Sequence, residues 1–276
     1  MTTESRDSKE HSLRQRIAAV LGWNRASYFL LSVFFATVAL IVVVWWPLAE
    51  EVLSYLDPTR PLLPQLDWLL IGIFVAMSLL IMGGADWRTD VLIAAVGLAG
   101  GLVIEAWGTQ TELWTYYTLE RPPLWIIPAW PIAFLSIDRL TRLLDALVPR
   151  TPRCFFKVSY WLVGAIFFAM LVVFVWPTRT EPLTLLAVLL CALLLVSPRD
   201  ERLTLLTFLA GVGLGYFLEL WGTTRACWTY YTRQTPPLFA VLAHGMAAVA
   251  FWRTRLLLLW IGSLIGERVA PARSAR

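Results

Sequence analysis

Residues 105–124 read EAWGTQTELWTYYTLERPPL, and residues 219–238 read ELWGTTRACWTYYTRQTPPL. The offset is 114 residues, and 12 of the 20 positions are identical. Upstream, Gly97 and Gly101 match Gly211 and Gly215 at the same offset. Each half therefore carries G-x3-G-x3-E-x-W-G-T-x4-W-T-Y-Y-T-x3-P-P-L, and self-similarity of this kind marks an internal duplication.

Outward from the motif, the chain is a series of apolar runs. Hydrophobic residues make up 58% of the 276 positions and charged residues only 15%, against about a quarter charged in a soluble domain. The mean hydropathy is +0.67. Runs of near-spanning length predict eight membrane helices, over residues 27–46, 68–85, 91–107, 124–137, 155–176, 183–196, 203–221 and 238–252. The fourth contains Pro128 and Pro131, which are expected to kink or unwind it. Before the first span, residues 11–25 interleave basic side chains with Leu13, Ile17, Leu21 and Trp23, the pattern of an amphipathic surface helix. Many of the 15 tryptophans end apolar runs, as expected for rings at the headgroup level.

Under this reading the termini, the even-numbered loops and the cytoplasmic end of the fifth span, which carries Lys157, hold 18 of the 23 Lys and Arg residues. The rule that positive charge stays inside then puts both termini in the cytoplasm of a multi-pass cell-membrane protein. The expected fold is all-α and integral to the membrane. It comprises about eight transmembrane helices as two parallel-oriented four-helix repeats, with a pseudo-twofold along the membrane normal. Residues 1–26 form an N-terminal cytoplasmic or interfacial segment, 27–137 the first repeat, 138–154 a basic cytoplasmic linker, 155–264 the second repeat and 265–276 a cytoplasmic tail.

Composition also excludes function classes. The net charge of +4 is spread between spans and accompanies no nucleic-acid motif. Cys154, Cys191 and Cys227 are too dispersed for a structural disulfide. His11 and His244 cannot build a metal site, and no nucleotide loop, histidine box or zinc spacing is present, so no cofactor is expected. No cleavable signal peptide is evident. The expected partners are membrane lipids and a hydrophobic ligand, and the sequence leaves room for a homo-oligomer.

The chemistry of the motif centres on its glutamates. On a helix, Gly97, Gly101 and Glu105 fall on one face, as do Gly211, Gly215 and Glu219. Glycines at this spacing admit a close neighbour, which predicts that the third and seventh spans meet near the axis, each bringing a carboxylate. A carboxylate in apolar surroundings is costly and usually faces a partner or cavity. Two facing each other would raise the pKa of at least one, by desolvation and like-charge repulsion, and a carboxyl held neutral can act as a general acid. Glu105 and Glu219 are therefore the candidate catalytic residues. Trp107, Trp114, Tyr116 and Tyr117, with Trp221, Trp228, Tyr230 and Tyr231, are candidate substrate-binding residues, because aromatic faces stabilise cations. His244, standing where the first half has Trp130, can relay protons or orient a substrate; a neutral imidazole bonded to a helix carbonyl is the alternative. The structural alternative for the glutamates is that they reach water or bind their own loops, with the aromatics forming an interfacial belt.

The stretch from Glu105 through Trp114, Tyr116 and Tyr117 to Pro128 and Trp130 resembles the carotenoid-hydratase-like family of bacterial and archaeal membrane proteins. That resemblance implies an isoprenoid substrate and addition of water to a linear carotenoid end. The W-T-Y-Y element is also similar, more faintly, to small membrane lycopene cyclases, whose proline-linked acidic pair is absent here. The second half departs from the pattern with Leu242 and His244. Three functions follow: an enzyme acting on a membrane-dissolved isoprenoid by acid catalysis, a proton- or cation-coupled transporter or channel, and a non-catalytic scaffold or lipid binder.

Overall fold

A computed structural model describes residues 22–149 and 152–269. All but a few residues of the predicted surface helix at 11–25 lie outside that range, and Asn24 instead caps the first helix, α1 (Arg25–Val44). The Asn24 side chain accepts from the Ala26 and Ser27 N–H groups, and Ser27 Oγ accepts from the Asn24 N–H at 3.0 Å, completing a capping box. Pro47 cannot continue α1 without clashing with the carbonyl four residues back. It falls instead in the first turn of α2 (Trp46–Ser54), an exposed helix that hydropathy did not anticipate. Next come α3 (Trp68–Met82) and α4 (Trp87–Gln110). Ser27 Oγ donates to the Met82 carbonyl and Asn24 Nδ2 to that of Ala85, both at 2.7 Å, which ties the start of α1 to the end of α3. These elements up to Val91 form one compact unit, and Leu92–Arg276 form a second.

The second unit holds the rest of α4, strand β1 (Trp114–Tyr116), α5 (Ala129–Leu147), α6 (Arg153–Phe174), α7 (Pro182–Val196), α8 (Glu201–Thr224), strand β2 (Trp228–Tyr230) and α9 (Leu238–Val269). Helix α8 is its core, packed against α5, α6 and α9. Its closest approach is to α9: a Cβ on Gly211 would stand 2.7 Å from the His244 carbonyl oxygen, and one on Gly245 2.7 Å from that of Phe208.

Among the described residues the protein is all-helical apart from strands β1 and β2, which pair as a two-stranded ribbon. Five of the described helices are long and apolar enough to cross a membrane: α1, α4, α6, α8 and the Leu238–Ile265 part of α9. That set is compatible with a polytopic membrane protein. Helices α3 and α7 are apolar but only 15 residues each, roughly 22 Å at 1.5 Å per residue. The predicted fourth span, 124–137, is replaced by α5, which starts at Ala129 and runs on through Asp138, Arg139, Arg142 and Asp145. Pro128 caps it and Pro131 lies in its first turn, where helix N–H groups have no partner to lose, so neither proline breaks it. The segment expected as a linker from 138 is thus helical up to Leu147. The last span, predicted to end at 252, likewise continues as helix to Val269. Asp138 binds Arg142 at 2.6 Å and both Arg139 and Arg255 at 3.0 Å, joining α5 to α9 through charge.

Candidate functional site

The chain leaves α4 and α8 by the same turn. The N–H of Leu113 returns to the Gly108 carbonyl and that of Glu112 to Thr109. In the second half Cys227 and Ala226 do the same to Gly222 and Thr223. These are the paired bonds of a Schellman motif, with Glu112 at φ 59° and Ala226 at φ 53° in the left-handed position. The turn aims the next residues back over the helix end. There Trp114–Tyr116 and Trp228–Tyr230, aromatic and β-branched as strands prefer, pair antiparallel. The register is Trp114 with Tyr230, Thr115 with Thr229 and Tyr116 with Trp228, so Thr115 and Thr229 sit at its centre. Flanking bonds from Tyr117 N–H to Cys227 O and from Tyr231 N–H to Leu113 O extend the same symmetry. The repeated motif thus forms a ribbon shared by both copies.

Each glutamate lies beneath the ribbon, only 3% exposed. Glu105 Oε2 accepts from Trp114 Nε1 at 3.1 Å, while Oε1 accepts from Tyr116 Oη at 2.8 Å and Trp130 Nε1 at 3.1 Å. Glu219 Oε2 accepts from Trp228 Nε1 at 2.9 Å, and Oε1 from Tyr230 Oη at 2.8 Å. His244 Nε2 lies 2.9 Å from the same Glu219 Oε1. Thr109 and Thr223 fold their hydroxyls onto the carbonyls of Glu105 and Glu219. The rings interlock across the ribbon: Trp114 with Tyr230 at 5.8 Å, Tyr116 with Trp228 at 5.9 Å, and Trp130 stacked on His244 at 6.0 Å. Burial first, and the neighbouring carboxylates second, push the Tyr116 and Tyr230 phenols well above the usual tyrosine value. Both hydroxyls therefore stay protonated as donors.

The glycine stripe has a different job from the expected one. Gly97 faces Pro131, and a Cβ on Gly101 would stand 2.2 Å from the Trp130 ring; the matching Cβ on Gly215 would stand 2.4 Å from His244. The stripe thus admits the next helix of its own half, α5 or α9, and the ring that helix carries to the glutamate. The prediction that these glycines bring α4 against α8 is corrected accordingly. Gly108 and Gly222, within the motif itself, lie directly under the Trp114 and Trp228 rings.

Of the predicted binding residues, Trp114, Tyr116, Trp228, Tyr230 and His244 converge on the carboxylates. Trp107 packs its ring edge-on against Trp114 at 5.9 Å. Trp107 Nε1 donates to Thr184 Oγ1 at 3.1 Å, and Tyr231 Oη to the Phe174 carbonyl at 2.7 Å. Tyr117 is exposed and Trp221 half-buried. Trp130 was missed as a site residue. Its signal was available: it follows Glu105 by 25 positions, as His244 follows Glu219. No family model, no curated protein and no solved structure matches the chain.

Proposed function

We propose that this is a membrane-embedded enzyme that transfers protons to and from an apolar substrate of the isoprenoid class, with Glu105 and Glu219 as its acid–base groups. The observation that carries this reading is the pair of buried carboxyl groups inside one aromatic cluster, one of them in contact with an imidazole. In the proposed step a carboxyl O–H bond breaks as its proton adds to one carbon of a C=C bond, leaving a cation at the other carbon. Water adds to that carbon, and the excess proton returns to the carboxylate, so the net change is one water per double bond. Where a second double bond of the substrate takes the place of water, its electrons form the ring bond, and a C–H proton lost to the carboxylate restores the acid and ends the reaction. Aromatic faces suit the intermediate cation. The test is mass spectrometry of lipids that co-purify with the protein. An isoprenoid enriched with wild type, in a chemical form different from that held by the Glu105→Gln/Glu219→Gln variant, is expected. Bulk phospholipid alone from both would overturn the reading.

The proposal includes the membrane arrangement: two parallel four-helix repeats, a pseudo-twofold along the membrane normal through Thr115 and Thr229, and cytoplasmic termini. The ribbon register supports the axis, and the distribution of Lys and Arg supports the orientation. Cys154 is exposed, whereas Cys191 and Cys227 are buried. A membrane-impermeant maleimide is expected to label Cys154 in inverted vesicles and not in intact cells; labelling from outside would reverse the orientation.

One observation favours a second reading, a non-catalytic scaffold. Each carboxylate oxygen already accepts a hydrogen bond, so the glutamates also act as clamps that hold the ribbon on the helix ends. A stable protein partner lost on Trp114→Ala/Trp228→Ala substitution, with no isoprenoid bound, would select it.

A further inference from the structure

The duplicated site is not chemically symmetric, and the asymmetry lies at one position. Glu105 is held by two indole N–H groups and a phenol. An indole N–H donates and cannot accept, so a proton on Glu105 can be passed on through neither Trp114 nor Trp130, and only by way of the Tyr116 hydroxyl. In the other half Trp130 is replaced by His244, whose Nε2 lies on the same oxygen of the equivalent glutamate. Imidazole nitrogen both accepts and donates. The Glu219–His244 pair can therefore hold one proton in either of two places, as carboxyl with neutral imidazole or as carboxylate with imidazolium.

We infer that Glu219 Oε1 and His244 Nε2 share one exchangeable proton, and that Trp130, which can only donate, denies Glu105 the same kind of partner. This deepens the acid–base reading above and rests on it for its purpose. It makes the two halves unequal: Glu219 exchanges its proton directly with His244, and Glu105 only by way of Tyr116. The groups facing the pair are Tyr230 on β2, bonded to the same Glu219 oxygen, Tyr116 on β1 and Glu105 on α4, while α5 presents the Trp130 ring. A single proton on the Glu219–His244 bond leaves that pair neutral overall.

The experiment is pH-difference infrared spectroscopy of the full-length protein reconstituted in phosphatidylcholine vesicles, reading the C=O stretch of a protonated, buried carboxyl. Wild type is expected to show one such band, coupled to an imidazole signal. Glu219→Gln should remove it, Glu105→Gln should leave it, His244→Gln should shift its pH midpoint, and Trp130→His should add a second band. Loss of the band in Glu105→Gln with retention in Glu219→Gln overturns the assignment, as does an unchanged midpoint in His244→Gln or no band at all in wild type. A check on the unaltered site uses nitrogen-15 NMR of labelled histidine. The chain has only two histidines, so with His11→Ala the remaining signal is His244. Its imidazole must change charge or tautomer at the midpoint of the infrared band; a silent imidazole overturns the proposal. None of these readouts uses turnover. A band that behaves as expected while no isoprenoid is found would refute the proposed function and leave the proton assignment standing.

Discussion

Glu105→Ala is expected to destabilise the protein by about 3–6 kcal/mol, since it strands three buried donors at about 1–3 kcal/mol each and the sum is not fully additive. The donors cannot turn to water. Trp114 and Tyr116 are held in the ribbon register, and Trp130 is wedged against Gly101. Glu105→Gln should cost less, for a geometric reason. With its carbonyl oxygen placed to accept from Tyr116 and Trp130, only the amide NH2 opposes a donor, Trp114 Nε1. The measurement is thermal unfolding of the detergent-solubilised protein, with the order wild type, Gln, Ala. An alanine variant that melts with wild type would mean that the three bonds hold nothing together.

Gly108→Ala and Gly222→Ala form the second case. The new methyl group would stand 1.8 Å from Cη2 of Trp114 or 2.0 Å from that of Trp228. The ring cannot retreat, because its Nε1 binds the glutamate and its backbone belongs to the ribbon. Overpacking of this kind costs about 1–3 kcal/mol, against a gain of up to about 1 kcal/mol from the better helix propensity of alanine. The clash should win, and the displaced indole should also give up its hydrogen bond. Gly213→Ala in α8 is the matched control. Nothing lies within 4 Å of its added Cβ, so only the propensity gain applies and the variant should melt no lower than wild type. Equal melting of all three would show that the tryptophan rings are not confined.

The same two cases show how far the sequence could be read. Glu105 and Glu219 were legible because a carboxyl near the end of an apolar run is costly, and both copies of a diverged duplication carry one. Gly97 and Gly101 were legible as a packing face, but periodicity names only the face, not the helix that fills it. The equivalent residues Leu124 and Leu238 diverge in structure as well: α9 begins at Leu238, whereas α5 waits until Ala129. The cause is local, since Pro128 disfavours helical backbone at the residue before it, and the second half has Leu242 there.

From the sequence alone came the helical class, the apolar segments, the duplication and the two glutamates. Each of these depends on hydropathy or on residue identity, which are properties of the chain taken in order. Only the tertiary structure decided that the W-T-Y-Y segments pair with each other about Thr115 and Thr229, that Trp130 and His244 fall on corresponding carboxylate oxygens, and that Trp107 and Tyr231 bond to Thr184 and the Phe174 carbonyl. Those outcomes depend on where helix ends meet across 114 residues of chain. No local preference specifies such a meeting; the Schellman turns, the glycine notches and the packing of α9 on α8 set it together.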